Sequence, residues 1–287
     1  MNRDAFIYRL YFAAKDLGAA GLLRRIPHVD HKLKQFLRFA LPHKPVWVRV
    51  KSGLSQGLWM RVSLPDEVRL WRGEHEITLQ HAIRAVVRPG SIVYDIGAHT
   101  GSIALGVARL VGPLGSVVAF EADHENVEAL KENSSRNLLT ASLQVVESAV
   151  WSHVASQIPF RRSGIRRSHG GVEADGEHPV LASGELVNVP ATTLDDFIAG
   201  GPPVPQLVKI DVEGGEYEVL RGGESLFTKH RPLIIAEVHH AVAAGQIRAW
   251  LPEHRYCYRW IIPLEDFPRA LFAWPEGYEG TVWIWSS

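Results

Sequence analysis

The sequence predicts an α/β protein built on a mostly parallel, doubly wound sheet whose C-terminal strand runs antiparallel. Three observations carry this. Apolar runs of strand length alternate with segments of helical period, a glycine turn joins one run to a helix, and the tail becomes aromatic and strand-like. Alternation of strand and helix implies right-handed crossovers and helices on both faces of a parallel sheet.

The elements follow in order. Residues 1–44 form a basic segment with two amphipathic patterns, Phe6, Leu10, Ala13 and Leu17 in one and Leu33, Phe36, Leu37 and Ala40 in the other. This segment holds nine Lys/Arg against three Asp, hence +6. Two readings stay open for it, a helical cap on the main domain or a basic helix resting on an anionic membrane surface. Residues 45–90 lead into the core. VWVRVKSGLSQGLWMRVSL (46–64) alternates around Ser52-Gly53 as a β-hairpin does. Leu79, Ala82, Ile83, Val86 and Val87 mark a helix ended by Pro89-Gly90.

Residues 91–287 form the main domain. Strand-like runs fall at 91–96, 116–121, 142–148, 206–211 and 232–238, with helical patterns at 101–111, 124–136, 191–199 and 215–227. Residues 152–188, centred on RRSGIRRSHGG, read as a loop or small excursion. The tail after about residue 255 contains YCYRWIIP and GTVWIWSS, separated by a loop with proline and glycine.

Composition narrows the function classes. With 31 basic and 31 acidic residues the formal net charge is zero, so the whole chain offers no argument for nucleic acid. A single cysteine, Cys257, excludes an internal disulfide framework, fits a reducing cytoplasmic compartment, and reads as a small buried hydrophobe. Lys15 and Asp16 interrupt the first apolar stretch, which is unlike a signal peptide. No run reaches the about 18 apolar residues that a spanning helix needs.

The glycine turn is the first chemical signal. In VYDIGAHTGSIALG (93–106), Asp95 precedes Gly97 and Gly101 where a strand gives way to a helix. Absence of a side chain there lets something approach the backbone. At the carboxyl end of a parallel strand the expected visitor is a nucleotide. A dinucleotide fingerprint places pyrophosphate at the helix N-terminus, where a preceding carboxylate would repel it. The acid suits a ligand that carries ammonium or sulfonium, as S-adenosylmethionine does. Glu121 ends the next strand, twenty residues beyond Gly101, and its carboxylate can accept from both ribose hydroxyls. NAD shares that ribose, so an NAD-linked oxidoreductase stays as the alternative, together with an inactive fold used as a binding module.

Five blocks, VYDIGAHTG, FEADHENVEALKEN, TTLDDF, VKIDVEGGEYEVLRG and PLIIAEVH, in that order and spacing closely resemble the FkbM family of S-adenosylmethionine-dependent methyltransferases over roughly residues 70–240. The resemblance implies the Rossmann-like, seven-stranded class I methyltransferase sheet, and O-methylation of a hydroxyl on a saccharide, glycan or similar metabolite. By position it makes Asp95, Gly97, Ala98 and Gly101 the cofactor turn and Glu121 the ribose acid, with Asn126 and Asn133 on the following helix. It places Ser148 and Ala149, with Val150, at the adenine and Glu76 beside the cofactor pocket. The chain departs from the family at His99, where Asn is usual, at Ala122, where Pro is common, and at Gly215, where Ala is usual.

The carboxylate edge is the second signal. Asp211 and Glu213 end the fourth strand; Glu237, His239 and His240 end the fifth. Buried charge is costly unless paired, so their convergence needs an account. One is a general base for the acceptor hydroxyl, with Asp211 first and Glu213 and His239 as partners. A second is a divalent cation such as Mg²⁺ on Asp211, Glu237 and His239. A third is that Lys209 neutralises an acid and the histidines lie at the surface. No short metal motif favours the second, and no residue is assigned as a metal ligand. Arg161, Arg162, Arg166 and Arg167 are candidates to grip an anionic glycan, against a solvated loop. Five tryptophans after residue 249 read as packing before sugar stacking.

Overall fold

The computed structural model describes residues 45–64, 66–162, 170–172, 184–261 and 269–280. The basic segment 1–44, Arg166, Arg167, Trp283 and Trp285 lie outside them.

The chain first forms an antiparallel hairpin, β1 (Val46–Arg49) and β2 (Trp59–Val62), then α1 (Val68–Arg72) and α2 (Ile77–Val86). The main sheet runs β3 (Ile92–Ile96), α3 (Ser102–Val111), β4 (Ser116–Glu121), α4 (His124–Ser135) and β5 (Ser142–Glu147). A smaller sheet interrupts it: β6 (Ala149–Val150), β7 (Ala155–Arg162), β8 (Gly170–Val172) and β9 (Glu185–Thr192). The main sheet resumes with α5 (Leu194–Ala199), β10 (Leu207–Ile210), α6 (Glu216–Arg221), α7 (Glu224–Lys229), β11 (Leu233–Val238), α8 (Ala241–Glu253), β12 (Tyr256–Trp260) and β13 (Arg269–Pro275).

Seven strands pair in the order β12-β13-β11-β10-β3-β4-β5. All pairings are parallel except those of β13, which lies antiparallel between β11 and β12. Strand residues alternate between two apolar layers, as a period of two requires. Tyr94, Val118, Val208 and Ile234 pack with Leu220, Phe227 and Leu251 on one face. Val93, Val117, Leu207 and Ile235 pack with Ile83, Ala104 and Val107 on the other. The hairpin and α1 build a third cluster on Met60, Val62 and Trp71 that reaches Leu105 of α3.

Asn133 joins the hairpin to the main sheet. Fully buried, it accepts from the Arg61 amide at 2.8 Å and donates to the Thr100 carbonyl at 2.9 Å. A buried amide with both ends satisfied rigidifies the elements it bridges.

The structure settles one open reading and corrects three expectations. The described residues within 152–188 form the small excursion: β7 pairs antiparallel with β8 and β9 around Ile158, Phe160 and Val189. Only every second residue of β7 and β9 faces that small core, so the sequence there looks polar. The strand RALFAWP (269–275), expected as part of a loop, lies inside the main sheet, and GTVWIWSS falls mostly outside the described residues. The 215–227 pattern splits at Gly222 and Gly223 into α6 and α7. Cys257 is exposed, because β12 is the edge strand and alternates Tyr256 inward with Cys257 outward. Helix α8 was missed altogether.

Trp250 and Trp274 serve packing. Trp250 is buried and stacks on His254 at 3.8 Å, and Trp274 stacks on Phe272 at 5.5 Å. Arg162 ion-pairs with Asp123 at 2.6 Å, tying the small sheet to the N-cap of α4. Among the described residues no helix is long and apolar enough to cross a membrane.

Candidate functional site

Strand β3 pairs with β4 on one side and β10 on the other, so the sheet reverses its winding between β3 and β10. Ligands of open α/β sheets bind outside the carboxyl ends of the strands at such a point. A cavity of about 900 Å³ opens there. It is lined by Glu76, Gly97, Ala98, Glu121, Ser148 and Ala149, and by Asp211, Glu213, Glu237 and His239.

Asp95 and Gly101 stand behind its wall. Asp95 is 1% exposed and its Oδ1 lies 3.0 Å from Lys209 Nζ. Gly101 begins α3 with a φ of 89°, and a Cβ there would meet Leu130 Cγ at 2.9 Å. Gly97 has a φ of 77°, and a Cβ would sit 1.8 Å from the Asp211 carbonyl oxygen. The visitor that Gly97 admits is thus the end of β10, whose amide at Asp211 donates to the Ile96 carbonyl. Gly215 has a similar reason: a Cβ would meet Trp151 at 2.5 Å.

Glu121 closes the other end. Its Oε2 accepts from the His99 amide at 2.7 Å, and its Oε1 from the Asp123 amide at 2.9 Å and Asn126 Nδ2 at 3.4 Å. Burial raises its pKa while those donors pull it down. A carboxylate has about four acceptor positions and these donors take three, so one remains for a ribose hydroxyl. His99 adopts a φ of 51°. Asn and His tolerate this left-handed region better than most side chains, which accounts for His at a position where Asn is usual.

The opposite wall concentrates charge. Lys209, 3% exposed, lies 3.4 Å from Asp211 Oδ2 and donates to the Gly97 carbonyl at 2.9 Å. Burial alone would discharge it, but Asp95, Asp211 and Glu76 hold its pKa above the usual lysine value. Glu76, which burial would raise, is drawn down to about 2 by His75 and Lys209. Its partner His75 Nε2 stands 2.5 Å from Oε1. Burial and neighbouring acids push Glu237 up to about 7 and Glu213 up to about 8, against the pull of His239.

His239 Nε2 faces Asp211 Oδ1 at 3.5 Å and Glu213 Oε2 at 3.3 Å. Its Nδ1 meets Glu216 Oε1 at 2.8 Å. His240 lies outside this group: its Nδ1 caps α8 by accepting from the Ala243 amide, and its Nε2 bonds the Gly214 carbonyl. Two sets of donor atoms, Asp211–Glu213–His239 and Glu76–Asp211–Glu237, each lie within 4.8 Å of one another. Lys209 and His239 already bring positive charge to them, and no metal ligand is assigned. Sequence reasoning named Asp211, Glu213 and His239 but missed His75 and Glu216. No spacing rule could have paired residues 23 positions apart, as His239 and Glu216 are.

Strand order, the antiparallel β13 and the cavity at the switch point define a class I methyltransferase fold. The Methyltransferase FkbM domain family matches residues 95–258, more than half of the chain, and the chain belongs to that family. Among curated relatives, the hexuronic acid methyltransferase AglP of Haloferax volcanii is 25% identical over 226 residues, covering 72% of this chain and 85% of its own. The 31-O-demethyl-FK506 methyltransferase FkbM of Streptomyces tacrolimicus is 28% identical over 201 residues, covering 62% and 76%. The crystal structure of a methyltransferase FkbM from Methylobacillus flagellatus KT superimposes with a TM-score of 0.48 at 15% identity, covering 66% of this chain and 45% of that one.

Proposed function

We propose that the chain is an S-adenosylmethionine-dependent O-methyltransferase acting on a hydroxyl of a saccharide or similar hydroxylated metabolite. One observation carries this: one cavity places Glu121, with an acceptor position left for a ribose hydroxyl, at one end and a carboxylate-rich wall at the other. When bound, the cofactor supplies an electrophilic methyl group on a cationic sulfonium. Glu121 would hold its ribose, Ala98 of the glycine turn would line the cofactor, and Ser148 and Ala149 would border its adenine. The chain's own task is to align the acceptor oxygen, exclude water and receive its proton. Asp211 ends β10 at the wall and is our first choice as base, with Glu213 and His239 beside it. The names of the two curated relatives, one for a hexuronic acid and one for a 31-O position, support oxygen as the acceptor.

Calorimetry tests the cofactor. S-adenosylhomocysteine is expected to bind and NAD to bind weakly or not at all. Glu121→Ala is expected to weaken S-adenosylhomocysteine by about 10²-fold, since each hydrogen bond to a charged group contributes about 1.5–3 kcal/mol. Tight NAD binding without S-adenosylhomocysteine binding would sink the proposal.

Asp211→Asn is expected to keep cofactor binding and cut turnover by about 10²-fold or more. A chelator is expected to leave wild-type turnover unchanged. A variant that loses binding yet keeps its rate per bound complex would place Asp211 in the pocket and outside the chemistry.

We also infer that the +6 of residues 1–44 brings the enzyme to an anionic membrane or lipid-linked glycan. Such attraction amounts to about 1 kcal/mol per basic residue near the surface and weakens with salt. Flotation with anionic liposomes is expected to retain the full chain and release a chain beginning near residue 45. Equal retention of both would discard the idea.

A further inference from the structure

We propose that Glu216 is a positioning residue that fixes the His239 ring as a cationic clamp across Asp211 and Glu213, and so sets where those carboxylates meet the acceptor. The proposal rests on the methyltransferase reading above and adds to it a residue that touches neither cofactor nor acceptor.

Glu216 is the first residue of α6 and is 0% exposed. A buried carboxylate is costly unless paired, and an apolar side chain would fill such a position at less cost. Glu216 is paired in one particular way. Its Oε1 accepts from the Gly214 amide at 2.8 Å and lies 2.8 Å from His239 Nδ1. A carboxylate can only accept, so Nδ1 is the donor of that bond.

Fixing Nδ1 of a planar ring fixes Nε2 as well, and Nε2 stands between Asp211 Oδ1 and Glu213 Oε2. A bare lone pair facing the Asp211 carboxylate would be repelled; a proton there makes that contact attractive, and Glu213 Oε2 can accept from it whether or not Glu213 is ionised. The ring is therefore an imidazolium shared by three acids from β10, the following turn and α6. Glu237 of β11 faces it as well.

The turn is folded to permit this. Glu213 has a φ of 54° and Gly214 of 117°, and His240 ties the same turn to the start of α8 through the Gly214 carbonyl. A non-glycine residue held in the left-handed region marks a position fixed by its surroundings. Burial alone would discharge His239, but Glu216, Asp211 and Glu213 outweigh it and raise its pKa to about 10. The clamp is then present through neutral pH and lost as pH rises through that value. With His239 protonated, proton uptake from the acceptor falls to a carboxylate, and the clamp keeps Asp211, with Glu213 beside it, in place.

Nitrogen NMR of the full chain with ¹⁵N-labelled histidine tests this without needing the acceptor. The His239 signals are identified by their loss in His239→Gln. Wild-type His239 is expected to be protonated on both ring nitrogens at pH 7.5. Glu216→Gln should lower its midpoint by about one pH unit or more and mix the tautomers above it. Glu216→Asp should fall between the two. Binding of S-adenosylhomocysteine to Glu216→Gln is expected within about twofold of wild type, since Glu121 is untouched.

A midpoint unmoved by Glu216→Gln overturns the proposal. Should that variant fail to fold, Asp211→Asn tests the clamp from Nε2, and an unchanged midpoint there overturns it equally. A wild-type His239 that titrates in the ordinary imidazole range while S-adenosylhomocysteine still binds removes the clamp alone. A wild type that binds no S-adenosylhomocysteine removes the methyltransferase reading, and the clamp's purpose with it.

Discussion

Lys209→Met is expected to lower the unfolding free energy by about 3–5 kcal/mol at neutral pH, the usual cost of removing one partner of a buried ion pair. Lys209 lies on β10 directly opposite Asp95 on β3, in the middle of the sheet. Its ammonium stands 3.0 Å from Asp95 and 3.4 Å from Asp211, and it donates to the Gly97 carbonyl. Methionine preserves the length of the stem, so the loss is one of charge more than of packing. Two acids then face each other across the switch point without a cation between them.

The sign of the pH dependence follows from Asp95. Even with Lys209 present, burial pushes its pKa up to about 6. An acid raised above its unfolded value, about 3.9 for Asp, costs stability when ionised and less as it protonates. Removing the cation raises Asp95 further. The deficit of the variant relative to wild type should be largest near pH 8 and shrink toward pH 5. Denaturant unfolding of both proteins at the two pH values checks this; an equal deficit at both would mean that lost packing, and not stranded charge, is the cause.

Much of this geometry could be read in the sequence, and the exceptions have physical causes. Strands β3, β4, β10 and β11 are buried on both faces, so they stand out as apolar runs. The acids Glu121 and Asp211 could be assigned because each ends such a run. Strands β7 and β9 bury only alternate residues against a small core, with Pro159 and Pro190 between them and Gln157 and Asn188 alongside, and this hides them. Helix α8 carries Gly245 and Pro252, which obscure its helical pattern, and β13 follows Pro263 and Pro268 in a stretch that resembles a loop. At the site, the block holding Lys209 and Asp211 was legible, but its contact with Asp95 depends on β3 and β10 being neighbours. The contact of His239 with Glu216 depends on β11 lying beside β10. Neither follows from local spacing.

Gly97→Ala is expected to destabilise the protein by about 2–4 kcal/mol with no ligand present. Two effects add. A left-handed φ of 77° disfavours any residue with a Cβ, at about 1 kcal/mol. Overpacking contributes about 1–3 kcal/mol more, because the new methyl would lie 1.8 Å from the Asp211 carbonyl oxygen. That oxygen belongs to the backbone at the end of β10, which the pairing of Ile210 with Ile96 holds in register. It cannot swing aside as a side chain could. Gly101→Ala makes the useful contrast. Its Cβ would meet Leu130 Cγ at 2.9 Å, a side-chain atom and farther off than the backbone oxygen at Gly97, so a similar φ strain comes with less crowding. Unfolding midpoints are therefore expected to fall further for Gly97→Ala than for Gly101→Ala. The ends of β3 and β10 would also move apart, taking Asp211 from its place beside the turn and weakening S-adenosylhomocysteine secondarily. If Gly97→Ala instead unfolds at the wild-type midpoint and loses only ligand affinity, the glycine admits the ligand, and the close approach of the two strand ends is incidental.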